Sequence, residues 1–232
     1  MRQTFEALPD ADKTPRLRMI TGFLSLVAAL TLGVTLGAQI IDLVRLGRFS
    51  AFEFVSYFSI QFAFISFVGL LLTGLAGFSG PRDTPRVASV RSFLALNAFS
   101  VIITHITLFS QTPANASGNM TALQWPDVVL HIIIPGYLVV DWILNPLRAR
   151  IPRWVPFVSL LYPIGWIIGT YIVGRSTGWY VNPLLDPASD VSPLLTALYL
   201  GGIGVTLALM ALMILMINRI HYRLVPGNLF ES

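Results

Sequence analysis

The sequence predicts an all-α protein, a single bundle of six transmembrane helices with both termini in the cytoplasm. Three observations lead to this prediction: six long apolar segments, a composition of 55% hydrophobic and 11% charged residues, and an uneven distribution of basic residues among the loops. A helix needs about 20 apolar residues to cross the hydrocarbon core. Backbone groups in lipid must be hydrogen-bonded internally, and the weak alternation of barrel strands is missing, so the segments are predicted to be helices.

The apolar segments set the boundaries of one membrane domain. The predicted spans are Met19–Ile41, Ala51–Gly77, Ser92–Phe109, Val128–Leu144, Val155–Val173 and Leu194–Ile217. Residues 1–17 are predicted to form a flexible polar tail, residues 18–220 the transmembrane domain, and residues 221–232 a second tail. The first span is too long for the apolar region of a secretory signal, and five more spans follow it.

Glycines four residues apart predict close helix packing in two of the spans. The pairs are Gly33 with Gly37 in the first span and Gly165 with Gly169 in the fifth. Such pairs let two helix backbones approach each other, so bundle packing is their expected use.

The basic residues are distributed unevenly between the two sides of the predicted bundle. With six spans, both tails and the second and fourth loops lie on one side, which carries 12 of the 15 arginines and lysines. The positive-inside rule therefore predicts that this side is cytoplasmic and that the protein is a multi-pass protein of the inner, or plasma, membrane. The net charge of +4 is spread over several loops, so nucleic acid is not an expected partner.

The residues that are missing narrow the chemistry. The chain contains no cysteine, which excludes disulfides, iron–sulfur clusters and a cysteine nucleophile. It also lacks the nucleophile elbow of the α/β hydrolases, the two-histidine zinc helix, the phosphate-binding loop and the dinucleotide fingerprint. The sequence therefore predicts no metal and no other cofactor, and it gives no indication of an oligomeric state.

Three reactive side chains are predicted to lie at one depth, in the outer leaflet. Ser56 lies about 7 Å into the second span, counted from its outer end at roughly 1.5 Å per residue. His131 lies at a similar depth in the fourth span, and His105 lies near the outer end of the third. Because ionisable groups are costly in a membrane, both histidines are candidate functional residues. The alternatives are hydrogen-bonded structural histidines or a pair of haem ligands.

The spacing of Asp127 and His131 suggests a catalytic pair. The two residues are four apart and so lie on one helix face, where their side chains interact. A carboxylate in this position can bond to one ring nitrogen of the histidine and leave the other as a base. A neighbouring hydroxyl would complete a nucleophile–base–orienter set. Ser56 is the best-placed hydroxyl, with Ser59 one turn deeper, and helix packing is the alternative role for either serine.

Further polar and aromatic residues are candidates for substrate binding near this level: Gln61, Asn97, His105 and Trp179. Asn97 belongs to the polar, bundle-facing side of the third span, for which helix packing is the alternative role. Trp179 belongs to the aromatic last outer loop. Asp141 lies deeper, near the cytoplasmic end of the fourth span. It is predicted to pair with an arginine or to bond to the helix end through water, with Trp142 at the membrane interface.

Three blocks of the sequence resemble a family of small membrane proteins. The family includes bacterial six-span proteins of unassigned function, and its animal members are the androgen-induced protein and the androgen-dependent TFPI-regulating protein. The blocks are Phe54-Val55-Ser56-Tyr57-Phe58-Ser59-Ile60-Gln61; Trp125-Pro126-Asp127 with His131, Pro135 and Asp141-Trp142; and Thr177-Gly178-Trp179-Tyr180-Val181-Asn182-Pro183-Leu184-Leu185-Asp186. The resemblance covers most of residues 20–220 in the family's order and spacing, and the set is more specific than any one block.

The resemblance implies an enzymatic function. The animal members hydrolyse fatty acid esters of hydroxy fatty acids, using a threonine nucleophile and a histidine within the membrane. By resemblance, His131 is that histidine and Ser56 stands in place of the threonine. Serine keeps the hydroxyl but lacks the methyl group that restricts the rotamer. The expected function is intramembrane hydrolysis of a membrane lipid or fatty-acyl ester, with Asp127 orienting His131. The alternative is a non-enzymatic transporter, lipid-binding or assembly protein in which Asp127 and His131 form a structural pair.

Overall fold

The computed structural model describes residues 13–80, 82–106, 123–145, 147–182, 185–188 and 192–224, and these residues form helices and connecting turns. The helices are α1 (Lys13–Arg45), α2 (Ala51–Ser56), α3 (Phe58–Ala76), α4 (Pro85–Thr104), α5 (Trp125–Val128), the π-helical segment π1 (Val129–Ile133), α6 (Ile134–Leu144), α7 (Val155–Ser159), α8 (Leu161–Thr177) and α9 (Pro193–Leu224). Within the described ranges, six helical stretches are long and apolar enough to cross a membrane. The predicted all-α, six-helix membrane architecture is confirmed.

Several helix ends differ from their predicted positions. α1 begins at Lys13, within the predicted N-terminal tail, and α9 continues to Leu224, within the predicted C-terminal tail. α4 begins seven residues earlier than predicted because Thr84 caps it, its hydroxyl accepting the backbone N–H of Val87 at 3.3 Å. Pro85 occupies the first helical position. A backbone N–H at that position would have no acceptor within the helix, so a residue without an N–H fits there. Phe109, the predicted end of this span, lies outside the described residues.

The bundle is held by two groups of buried apolar side chains that share α4 and α6. The larger group joins α1, α2, α3, α4, π1 and α6, and the smaller group joins α4 and α6 to α9 and to Ile151 in the loop before α7. α4 is the most buried of the six spans. The outward faces of α1, α8 and α9 expose large aliphatic side chains, among them Leu30, Ile168 and Leu198. Such continuous apolar surfaces are the faces that a membrane helix presents to lipid.

Close backbone approach occurs between α1 and α3, at glycines outside the predicted pairs. A Cβ atom added to Gly77 would lie 2.6 Å from the Cα of Gly22, and one added to Gly22 would lie 2.8 Å from the carbonyl oxygen of Gly74.

Of the four glycines in the predicted pairs, Gly33 is the one in close contact. A Cβ atom added to Gly33 would lie 3.1 Å from the ring of Phe67. The prediction is wrong for Gly37, Gly165 and Gly169, where an added Cβ would meet nothing within 4 Å. The spacing of four residues therefore did not identify the positions at which the helices touch.

The predicted second span is interrupted near the end that faces away from the termini, where Tyr57 adopts an extended conformation between α2 and α3. Two side chains bond to the carbonyl groups beside this break. The amide of Gln61 donates to the carbonyl oxygen of Val55 at 2.9 Å, and the indole N–H of Trp166 donates to that of Ser56 at 2.9 Å. Non-helical backbone at membrane depth requires such internal partners.

A buried network of charges joins three helices and a loop at the end of the bundle that carries both termini. This terminal charge network consists of Arg18, Asp83, Arg91 and Asp141. The Arg18 guanidinium lies 2.9 Å from one carboxylate oxygen of Asp83, and Arg91 lies 3.0 Å from the other. Arg91 also binds the carboxylate of Asp141, which confirms the arginine partner predicted for Asp141. Two arginines and two aspartates balance their charge.

One member of this network and one side chain beside it correct two predictions about the membrane interface. Arg91 is counted among the loop charges in the sequence, but it lies within α4 and is only 3% exposed. Trp142, expected at the interface, is buried at 1% exposure, and the Arg148 guanidinium lies 4.9 Å from the centre of its indole ring. The cation over the aromatic face explains why both side chains are buried together.

Candidate functional site

The seven predicted site residues fall into three places in the bundle. An imidazole cluster contains His105, Asp127 and His131. A pocket, here called the hydroxyl pocket, is lined in part by Ser56, Gln61 and Trp179. Asn97 lies in neither: it is fully buried in α4, and its amide nitrogen donates to the carbonyl oxygen of Phe93 at 2.9 Å.

The imidazole cluster lies at the end of the bundle opposite the terminal charge network. The His131 Nδ1 atom lies 2.9 Å from the Oδ1 of Asp127, as the spacing of four residues predicts. The His105 Nε2 atom lies 3.9 Å from the other oxygen of the same carboxylate. The two imidazole rings stack with their centres 4.5 Å apart and their planes 13° apart. The rings are too close to hold a haem between them, so the alternative of a bis-histidine haem site has no geometric support.

An irregular stretch of helix positions His131. π1 connects α5 to α6, and the backbone N–H of Ile134 bonds to the carbonyl oxygen of Val129, five residues earlier. Pro135 supplies a local reason, since it has no N–H to donate to the carbonyl of His131 as an α-helix would require. π-helical turns of this kind occur frequently at functional sites. His131 Nδ1 also lies 3.0 Å from the carbonyl oxygen of Asp127.

The cluster is partly open to its surroundings. The side chains of His105 and His131 are 20% and 12% exposed, whereas that of Asp127 is 55% exposed. His105 lies just beyond the last residue of the α4 span. Burial, together with the neighbouring imidazole of His131, lowers the pKa of His105 despite the opposing effect of Asp127. In its neutral form an imidazole has one nitrogen with a lone pair for bonding.

The hydroxyl pocket lies between the α2–α3 break and α8 and has a volume of about 450 Å³. Aromatic side chains form much of its wall, namely Tyr162, Trp166 and Trp179. Trp179 reaches the pocket because Gly178, the residue that follows α8, has a φ of +73° and turns the chain back. The ring centre of Trp179 lies 5.7 Å from that of Phe52. The volume is within the range of small-molecule pockets.

The sequence interpretation missed the α8 wall of this pocket. Its residues recur at helical spacing on one face of α8: Tyr162, Gly165, Trp166, Gly169, Thr170 and Val173. The two glycines leave space on that face, and the aromatic side chains beside them line it. The alternation of aromatic residues and glycine at intervals of three and four was a signal for a cavity, because bundle packing would have filled the space.

The nucleophile candidate and the base candidate have separate surroundings. The Ser56 hydroxyl donates to the carbonyl oxygen of Phe52 at 2.7 Å. Among the described residues, neither the lining of the hydroxyl pocket nor these hydrogen-bond partners of Ser56 include Asp127 or His131. The structure thus brings together Asp127, His131 and His105, and separately Ser56, Gln61 and Trp179.

Known proteins give no independent guide to this arrangement. Comparisons with protein-family models, with curated proteins and with solved structures find no match to the chain. The function must therefore be inferred from the geometry of the site.

Proposed function

We propose that the protein is an intramembrane lipid-ester hydrolase in which His131 is the general base and Ser56 the nucleophile. The contact between Asp127 and His131 carries the proposal. When the carboxylate accepts the Nδ1 proton at 2.9 Å, the tautomer is fixed and the lone pair lies on Nε2. Nε2 is then a base oriented by a carboxylate, which is the arrangement that activates hydroxyl nucleophiles.

The reaction proceeds in two halves. The Ser56 oxygen attacks the ester carbonyl as its proton passes to His131 Nε2, and the oxyanion that forms then expels the alcohol, which takes the proton from His131. Water then attacks the acyl-enzyme with His131 again as base, and this releases the fatty acid and restores the serine. Because the Ser56 hydroxyl and His131 have separate surroundings in the structure, the reaction requires a movement that brings them together. In this proposal the movement occurs at the break between α2 and α3, where Ser56 lies next to the extended Tyr57.

The pocket and the sequence blocks add support for a lipid substrate. The hydroxyl pocket has aromatic walls and about 450 Å³ of space beside Ser56, which suits part of an acyl chain. The resemblance of three blocks to a family with intramembrane ester hydrolases favours the same substrate class. In this proposal Gln61 and Trp179 contact the substrate, since both line the pocket with Ser56.

A second candidate function is lipid or solute transport, favoured by the interruptions of two spans. The predicted second span, Ala51–Gly77, breaks at Tyr57, and the fourth contains π1. Discontinuous helices form the substrate sites of many transporters, where they expose backbone groups to the cargo. In this alternative Asp127 and His131 are a structural pair, and Ser56 forms no covalent intermediate.

Fluorophosphonate labelling separates the two functions, because the reagent reacts with activated hydroxyl groups. Wild type, Ser56→Ala, His131→Ala and the control Ser59→Ala are labelled in detergent and assayed against a panel of lipid esters. The proposal predicts labelling and hydrolysis in wild type and Ser59→Ala, and neither in the other two. No labelling of well-folded, monodisperse wild type would refute the serine nucleophile and favour transport or binding.

We also infer that both termini are cytoplasmic and that the protein resides in the plasma membrane. The excess of basic residues on the terminal side supports this orientation. Because the chain has no cysteine, a thiol reagent can label a variant only at its one introduced cysteine, and this shows on which side of the membrane that position lies. Arg150 and Arg48 are both exposed and lie in loops on opposite sides. In intact cells, a membrane-impermeant maleimide should label Arg48→Cys and spare Arg150→Cys, and the reverse pattern would invert the topology.

A further inference from the structure

The imidazole cluster contains the donor atoms of a metal site on three residues, His105 at the end of α4 and Asp127 and His131 in the fourth span. One potential ligand atom from each of His105, Asp127 and His131 lies within 4.8 Å of the other two. The two oxygens of Asp127 face different histidines, at 2.9 Å from His131 Nδ1 and 3.9 Å from His105 Nε2. A single carboxylate therefore lies between two imidazole nitrogens, and the three groups converge on one region.

These separations suit a small transition-metal ion. Zinc binds histidine nitrogen and carboxylate oxygen at about 2.0–2.2 Å, so neighbouring ligands in a tetrahedral site lie about 3.3 Å apart. The separation of Asp127 from His131, 2.9 Å, is shorter than that value, and its separation from His105, 3.9 Å, is longer. Three protein ligands with a fourth position open are the pattern of reactive rather than structural zinc sites. The 55% exposure of the Asp127 side chain leaves a route for the ion and for a fourth ligand.

We propose that His105, Asp127 and His131 form a binding site for a divalent transition-metal ion of the zinc class. Two imidazole nitrogens and one carboxylate favour zinc and its neighbours over magnesium or calcium, which prefer oxygen ligands alone. The carboxylate supplies a negative charge that partly balances the ion. Because the rings stack 13° from parallel, binding requires the imidazoles to rotate until their lone pairs point to a common centre.

Binding of this ion has a consequence that rests on the proposed hydrolase function. When an ion occupies His131 Nδ1, the ring proton moves to Nε2, since a neutral imidazole has only one lone-pair nitrogen. His131 then has no lone pair with which to take the proton of Ser56. The ion and the base thus compete for His131, and zinc inhibits ester hydrolysis at the concentration at which it fills the site.

The test is a titration of zinc into full-length protein purified with a tag that contains no histidine, followed by calorimetry in detergent. Cobalt is used in parallel, because its visible spectrum reports nitrogen and oxygen coordination. His105→Ala and Asp127→Asn each remove one ligand. We expect zinc affinity to fall by at least about 100-fold in each, because loss of a residue that only hydrogen-bonds to a metal ligand already costs about 10–100-fold. His221→Ala removes the third histidine of the chain and is the matched control, expected to bind as wild type does.

The outcomes distinguish failure of this inference from failure of the proposed function. Binding of one ion by Ser56→Ala supports the metal site whether or not the wild type hydrolyses esters, because Ser56 is not a ligand. Folded wild type that binds no ion overturns the metal site, even if it hydrolyses esters. Equal binding by wild type and His105→Ala, or loss of binding in His221→Ala, also overturns it, since the ion would then lie elsewhere.

Discussion

The two ends of the bundle both hold a group of ionisable side chains, and they differ in burial and in backbone geometry. At the terminal end, the paired side chains of Arg18, Asp83 and Arg91 are only 3–4% exposed and join regular helices. At the opposite end, the Asp127 side chain is 55% exposed, and His131 lies on π-helical backbone. Buried, balanced charges resist change, whereas a partly exposed cluster on irregular backbone can move more easily when it binds a ligand. We therefore propose that the terminal end stabilises the fold and that the opposite end carries the chemistry.

The largest loss of stability is expected when Arg91 is removed from the terminal charge network. Arg91→Leu leaves the carboxylates of Asp83 and Asp141 without their shared partner, and loss of one member of a buried ion pair costs about 3–5 kcal/mol of unfolding free energy. Denaturant unfolding in detergent measures the change. The matched control is Arg86→Leu, because Arg86 is an exposed arginine of the same helix. A stability of Arg91→Leu equal to that of wild type would show that the network stabilises nothing.

The next largest effect is expected where α1 and α3 touch. Gly77→Ala places a methyl group 2.6 Å from the Cα of Gly22, and such overpacking costs about 1–3 kcal/mol. Gly37→Ala is the matched substitution in open space, and it should be neutral or stabilising by up to about 1 kcal/mol, because alanine favours helix. Thermal unfolding of the two variants compares them. Equal stability would contradict the close packing of these helices.

Filling the hydroxyl pocket should affect substrate turnover and leave the terminal end unchanged. Gly169→Leu adds a side chain to the α8 wall of the pocket, where the glycine leaves open space. Turnover of long-chain esters should fall about tenfold, or about 1.4 kcal/mol, while short esters are less affected. Gly201→Leu, at another open glycine of the chain, is the control. A loss of activity that is equal for long and short esters would refute an acyl-chain role for the pocket.

The smallest effect is expected at the break between α2 and α3. Gln61→Leu removes the hydrogen bond to the carbonyl of Val55, which should cost about 1 kcal/mol. Trp166→Phe keeps an aromatic ring but removes the bond to the carbonyl of Ser56, with a similar cost. Hydrogen exchange measured by mass spectrometry over residues 51–61 should become faster in both variants. Unchanged exchange would mean that these bonds do not hold the break.

Hydropathy was sufficient to predict the six spans but not where charges and breaks lie. Arg91 resembles a loop residue in sequence because its partners, Asp83 and Asp141, come from other segments. Only the folded chain shows that its charge is balanced inside the bundle. The break at Tyr57 is equally invisible to hydropathy, since the residues beside it continue the apolar and aromatic character of the span. Pro135 was a local signal for an irregular fourth span, but it did not indicate a π-helical segment.

The candidate site was predictable only where it is local. The Asp127–His131 contact follows from their spacing on one helix. The stacking of His105 on His131 depends on how α4 meets π1, which no short-range pattern determines. The proposed role of Asn97 rested on a polar helix face, but that face is buried in the core. The similar depth predicted for Ser56 and His131 did not place them in one pocket, because residues at the same depth can lie on different sides of the bundle.

The division between a stabilising end and a reactive end is tested most directly by comparing Asp127→Asn with Arg91→Leu, measuring unfolding temperature and ester hydrolysis for each. Asp127 is exposed, so Asp127→Asn should unfold within about 2 °C of wild type. Its hydrolysis should fall by at least about 100-fold, because the amide cannot orient the base as the carboxylate does. A Tm as low as that of Arg91→Leu, or hydrolysis within a few-fold of wild type, would contradict the account.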